Sequence, residues 1–127
     1  MAKYNELMNG LLIINKCLSV DMDVSNGNML MEALSERIGL LSYTDTLSSL
    51  NEGFYHWAKG VVFDMMREDP SLAGIKETQL RLYIAGKMAH FEAMNEKTKK
   101  TIRNLEISIE SLRTMISYLG KQINSSI

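Results

Sequence analysis

In Ile102-Arg103-Asn104-Leu105-Glu106-Ile107-Ser108-Ile109-Glu110-Ser111-Leu112-Arg113-Thr114-Met115-Ile116-Ser117-Tyr118-Leu119-Gly120-Lys121-Gln122-Ile123, apolar side chains recur in alternating steps of three and four. Isoleucine stands at 102, 109, 116 and 123, and leucine at 105, 112 and 119. This is a heptad seam, the pattern of a helix that buries one stripe along another helix. Ile102, Leu105, Ile109, Leu112, Ile116, Leu119 and Ile123 are therefore the candidate interface. The pattern specifies architecture and carries no chemistry.

Extended backwards, the register puts Met88 and Asn95 at a, and Phe91 and Thr98 at d. Ile at a with Leu at d favours two parallel strands, and a lone Asn at a, here Asn95, fixes register at a cost in stability. A parallel pair would set Met94 against Lys99, Thr101 against Glu106 and Ser108 against Arg113, none of them an ion pair. In an antiparallel pair the e flank is complementary, Glu92 meeting Arg113 and Lys99 meeting Glu106. The g flank (Met94, Thr101, Ser108, Met115) is small or apolar and suits cover by a further helix. An antiparallel dimer or larger bundle is the favoured expectation, ahead of burial within the chain and of a parallel dimer.

Upstream, Asp69-Pro70 caps and starts a helix, because proline at the first helical position loses no hydrogen bond. With no later proline, the expectation is one long helix over 70–123, Gly74 marking a later alternative start. Leu47, Leu50, Phe54, Trp57, Val61 and Met65 form a stripe on a helix that runs to about Glu68, with N-caps available in Ser42 to Thr46. Trp57 belongs to this stripe and is expected in the core. A further helix covers about Met29 to Leu41, and a first one 3–18, with a turn over Asp21 to Asn28 between them. Strand signals are nearly absent. The fold class is all-α: a single helical domain over 1–127, with short helices to 68 and a long C-terminal helix from 70 to 123.

A helix of ~50 residues is a rod of roughly 75 Å. A third helix of ~24 residues folding back along it reaches only to about residue 94, short of the best part of the seam. Either the first two helices or a second copy must cover the rest.

Composition bounds the function classes. At 127 residues and 46% hydrophobic, the chain can bury a core unaided. Its longest apolar run near the start, Leu11 to Ile14, is far short of the ~20 residues that span a bilayer, so a cytoplasmic protein is expected. Charge is uneven: residues 1–70 hold five Lys/Arg against ten Asp/Glu, and 71–127 hold nine against five. Internal packing of the two halves is the simplest account.

No active site assembles from the residue types. Cys17 lies in an apolar helical stretch and reads as a buried thiol. Asp21 to Glu32 matches several positions of a calcium loop, but Asn26 stands where its glycine belongs, so a capped turn is the better reading. His56 and His90 lack the spacing of di-iron or zinc motifs. The methionines, Met8, Met65 and Met88 among them, suit adaptable packing, and no cofactor is expected. Lys97, Lys99, Lys100 and Arg103 form a basic cluster off the seam and are candidate phosphate contacts.

Tyr55 through Lys59, Asp69-Pro70, and the run from Lys99 to Tyr118 together resemble short all-helical proteins encoded by phages and prophages. Those proteins share an aromatic-x-x-Ala-Lys helix, an acidic-Pro turn and a closing Leu-Arg-x-x-Ile-Ser-Tyr helix. The similarity covers about 54–121 and implies an accessory role in phage DNA metabolism or interference with host factors, in the host cytoplasm. The leading expectation is a non-enzymatic helical interaction module that forms a homo-oligomer or binds a protein partner. The alternative is a nucleic-acid-binding accessory protein in recombination or replication.

Overall fold

The computed structural model describes residues 2–23 and 25–125, with side-chain burial for 3–23 and 25–122. Helix α1 spans Ala2–Leu18, α2 spans Gly27–Glu68, a 3-10 turn covers Pro70–Leu72, and α3 spans Glu77–Ser125. The fold is all-α with a long C-terminal helix, and no strand occurs among the described residues.

The expected break at Ser42 to Thr46 is absent, and α2 is one continuous helix of 42 residues. The hydroxyls there turn back into their own helix, Ser42 Oγ donating to Gly39 O at 3.1 Å and Thr44 Oγ1 to Leu41 O at 2.6 Å. A residue bonded backwards in this way continues a helix instead of capping a new one. The start of the last helix also differs, because Asp69 caps a 3-10 turn and not the long helix. Its Oδ1 accepts from Ser71 N, Gly74 turns the chain at φ 82°, and α3 begins at Glu77.

Continuity of α2 changes the coverage. Forty-two residues span about 63 Å, enough to follow α3 back across the heptad seam. The register is antiparallel. Ala58 and Val62 pack with Met88 near the turn, Asn51 bonds Asn95 midway, and Leu30 and Ala33 pack with Leu112, Ile116 and Leu119 at the far end. The asparagine that fixes register thus does so between two helices of the same chain.

Helix α1 lies in the groove between α2 and α3. Tyr4 sits 5.4 Å from the Phe54 ring, Gly10 lies against Leu47 and Tyr43, and Cys17 O accepts from Arg37. It therefore runs antiparallel to α2. Its Leu7, Leu11 and Ile14 close the main core with Leu47, Met94, Leu105 and Ile109. Gly10 is required by this approach, since a Cβ there would stand 2.3 Å from Leu47 Cδ2. The further helix that the g flank calls for is α1, which leaves Met94 and Thr101 buried.

Both ion pairs among the described residues are local, Arg67 with Asp64 and Arg81 with Glu77. Among the described residues, the acidic and basic halves meet through apolar clusters and neutral hydrogen bonds such as Asn51 to Asn95, with no ion pair between them.

Candidate interaction surface

Towards the turn, the three-helix section is bounded by the first residues of α1. Tyr4 meets Phe54 and, at 6.2 Å, His90. Beyond that level α2 and α3 continue to the turn as a two-helix hairpin. Phe54 is the hub of the junction, with ring centroids 5.6 Å from Trp57 and 5.5 Å from Phe91.

The stripe Leu47, Leu50, Phe54, Trp57, Val61, Met65 divides at this junction. Leu47 and Leu50 pack into the core under α1. Trp57 is 61% exposed, Val61 37% and Met65 46%. Trp57 is thus a surface residue and not a core one, because the stripe faces the α1 groove and the described part of α1 begins at the level of Phe54. The face of α2 that meets α3 is a neighbouring line, Leu30, Arg37, Thr44, Asn51 and Ala58 at seven-residue steps, all buried. Hydrophobic periodicity overlooks that line because three of its five members are polar. The hairpin's own interior is closed by Ala58, Val62 and Met88, with Tyr55, Met66, Ile84 and Phe91 around them.

Of the seven candidate interface residues, Leu105, Ile109 and Leu112 are buried inside the chain, and Ile102, Ile116 and Leu119 are half-buried. The side chain of Ile123 lies outside the described residues. On the e flank Glu92 accepts from Tyr55 Oη at 2.6 Å, so this carboxylate is engaged by α2, while Lys99, Glu106 and Arg113 are exposed. The hydrogen bond to the carboxylate raises the Tyr55 hydroxyl above its ordinary pKa.

Lys97, Lys99, Lys100 and Arg103 are all exposed and line one shallow depression of about 550 Å³ together with Glu96. A second hollow of about 340 Å³, near the turn, is lined by Phe63, Met66, Arg67, Leu72 and Leu80.

The Asp21 to Glu32 segment is a capped turn. Asn26 Oδ1 accepts from Met29 N at 3.1 Å, and Asp23 Oδ1 accepts from Ser25 N and Oγ, which lowers the Asp23 pKa. Helix α2 begins at Gly27, so the last six positions of the calcium pattern are helical and cannot wrap an ion. Val24 lies outside the described residues. Among the described residues no group of three or more His, Cys, Asp and Glu is placed to hold a metal. Likewise, no described helix is long and apolar enough to cross a membrane.

Arg37 escaped the sequence reading. It is 2% exposed, donating from Nη1 to Ala33 O at 3.2 Å and from Nη2 to Cys17 O at 3.0 Å, while its buried Nε has no partner among the described residues. The guanidinium therefore meets the last turn of α1, where carbonyls carry the negative end of the helix dipole. Cys17 itself is buried, and burial raises its thiol pKa. His56 and His90 are both exposed, Met8 is half-buried, Met88 buried, and Met65 open.

Comparison of the chain with family models, curated proteins and solved structures finds no match.

Proposed function

We propose that this protein is a non-enzymatic helical interaction module that self-associates, serving a phage or mobile element in the host cytoplasm. The carrying observation is the apolar stripe of α2 beyond the end of α1, where Trp57, Val61 and Met65 stand open to solvent. An exposed tryptophan flanked by aliphatic residues is the composition of an interface anchor. The mobile-element setting is supported by the resemblance over 54–121. Since Leu105, Ile109 and Leu112 are occupied within the chain, the surface offered to a partner is the hairpin end rather than the heptad seam. Light scattering coupled to size exclusion tests this reading: mass above that of one chain at micromolar concentration is expected. A strict monomer at several hundred micromolar overturns it.

A second reading draws on the basic depression. Four exposed cations within one helical face suit phosphate contacts of a nucleic acid. Binding of single-stranded or duplex DNA at ~50 mM salt, weakened roughly uniformly over sequences by Lys99→Ala, supports it. Failure of both forms to bind removes it.

A further inference from the structure

We infer that a second copy of the chain docks on the side of the hairpin away from α1, α3 against α3 in antiparallel order, with the two-fold axis between Arg103 and Glu106. This rests on the self-association read above and gives it a second surface, one that leaves the hairpin end of both copies open.

Tyr55 fixes the flank. Helix α1 covers the side of α3 that carries Met94 and Thr101, whereas the hydrogen bond from Tyr55 Oη to Glu92 lies at the other edge of the seam. From Glu92 the line continues at alternating steps of four and three through Glu96, Lys99, Arg103, Glu106, Glu110 and Arg113, all of them exposed. Such steps keep to one face of a helix. Residues three or four apart can pair along their own helix, yet none of these six does: the ion pairs among the described residues are Arg67 with Asp64 and Arg81 with Glu77.

The signs run two by two. Glu96 is negative, Lys99 and Arg103 positive, Glu106 and Glu110 negative, and Arg113 positive. Laid antiparallel about an axis between Arg103 and Glu106, the line complements itself: Arg103 meets Glu106, Lys99 meets Glu110 and Glu96 meets Arg113, each twice by symmetry. Sliding one copy by a heptad in either direction sets like against like at every charged pair, and a parallel pair in register does the same. Charge of this kind selects the partner and the register. The pairs differ from Glu92 with Arg113 and Lys99 with Glu106, which two open seams would make, because the seam is occupied within the chain and the line beside it faces outward.

Helix α2 supplies an apolar centre independently. Leu41 and Leu34 lie two and three heptads before Tyr55, on the same flank, and both are half-buried. Ile38 and Met31 alternate with them at steps of three and four and are 41% and 54% exposed. Asn51 stands opposite Asn95. The axis lies about ten residues beyond Asn95 on α3 and therefore about ten before Asn51 on α2, at Leu41. Leu41 thus meets Leu41 of the second copy on the axis, with Ile38 beside it. The charges of one helix and the apolar residues of the other select the same centre.

Two altered full-length chains test this. One carries Lys99→Glu, Arg103→Glu and Arg113→Glu, and the other Glu96→Lys, Glu106→Lys and Glu110→Lys. Each alone should self-associate at least about ten-fold more weakly than the parent, and an equimolar mixture should recover the dimer by light scattering. In a Cys17→Ser background, a Lys99→Cys chain mixed with a Glu110→Cys chain should form a disulfide between the two on mild oxidation. Lys97→Cys, off the line, should not do so in place of Lys99→Cys. Altered chains that associate with themselves as strongly as the parent overturn this surface and leave the hairpin end as the site of self-association. Weakened chains whose mixture does not recover overturn the pairing. If circular dichroism shows that an altered chain has lost its helices, the crosslink decides, and its absence overturns the register. A parent that is strictly monomeric at several hundred micromolar overturns self-association and this surface together.

Discussion

Asn51 and Asn95 face each other midway along the long hairpin, Nδ2 of the first donating to Oδ1 of the second at 2.6 Å. Asn51 is buried and Asn95 half-buried, so neither amide can fall back freely on water. Asn95→Leu should destabilise the fold by about 1–3 kcal/mol, because it strands a buried amide. The double variant Asn51→Leu, Asn95→Leu should recover most of that loss. Urea denaturation of the four chains of the cycle measures it, and additive losses would show that the two amides act independently.

Glycine substitutions should have opposite signs at two positions. Gly10→Ala places a methyl 2.3 Å from Leu47 Cδ2 and 2.9 Å from Tyr43 Cε1, against a leucine that is fully buried. It should cost about 1–3 kcal/mol through overpacking, despite alanine's better helix propensity. Gly53→Ala, with nothing within 4 Å, should instead stabilise by about 0.5–1 kcal/mol. Thermal melts of both chains decide it. Equal shifts would contradict the close approach of α1.

Arg37 separates packing from charge. Arg37→Ala removes a long buried side chain and should cost about 2–5 kcal/mol. Arg37→Met keeps much of the volume and removes a buried cation that has no carboxylate partner among the described residues, so its cost should be well below that of alanine. Accelerated reaction of Cys17 with a thiol reagent in Arg37→Ala but not Arg37→Met would place the loss at the α1 contact, since that thiol is buried and its pKa raised. Equal losses in the two variants would show that the guanidinium's hydrogen bonds dominate.

Acid sensitivity should arise in part at the turn. Hydrogen bonds from the Ser71 hydroxyl and N–H to Oδ1 hold the Asp69 carboxyl below its ordinary pKa. Its stabilisation is complete above the unfolded value near 4 and is lost as pH falls through the lower folded value. Asp69→Asn keeps an acceptor but does not titrate, so melts between pH 6 and pH 2 should lose less in that variant than in the parent. An unchanged acid limb would remove Asp69 from the account.

How much of this was legible in the sequence follows from what each signal measures. The heptad from Ile102 reported a buried stripe on a long helix, and the uncharged flank through Met94 and Thr101 reported a third helix; both are in the fold. The break at Ser42 to Thr46 was misplaced because hydroxyl residues mark caps only when they bond forwards, and Ser42 and Thr44 bond backwards. That one misplacement halved the apparent length of α2 and made the seam look uncovered. Trp57 was misplaced for a related reason: a stripe shows which residues share a face, not how far the covering helix extends. Arg37, Thr44 and Asn51, the polar members of the α2 face, had no signal that hydrophobicity could read.

The groove that receives α1 also sets an order of events. Leu7, Leu11 and Ile14 close on Leu47 from α2 and on Met94, Leu105 and Ile109 from α3, so α1 has no complete binding site until the long hairpin has paired. Pairing that starts at the turn shortens, layer by layer, the loop that each next layer must close. On the ribosome α1 emerges before either of its partners. Its apolar face must therefore stay unpaired until both partners have been made, and of the three helices α1 is the last that can dock fully.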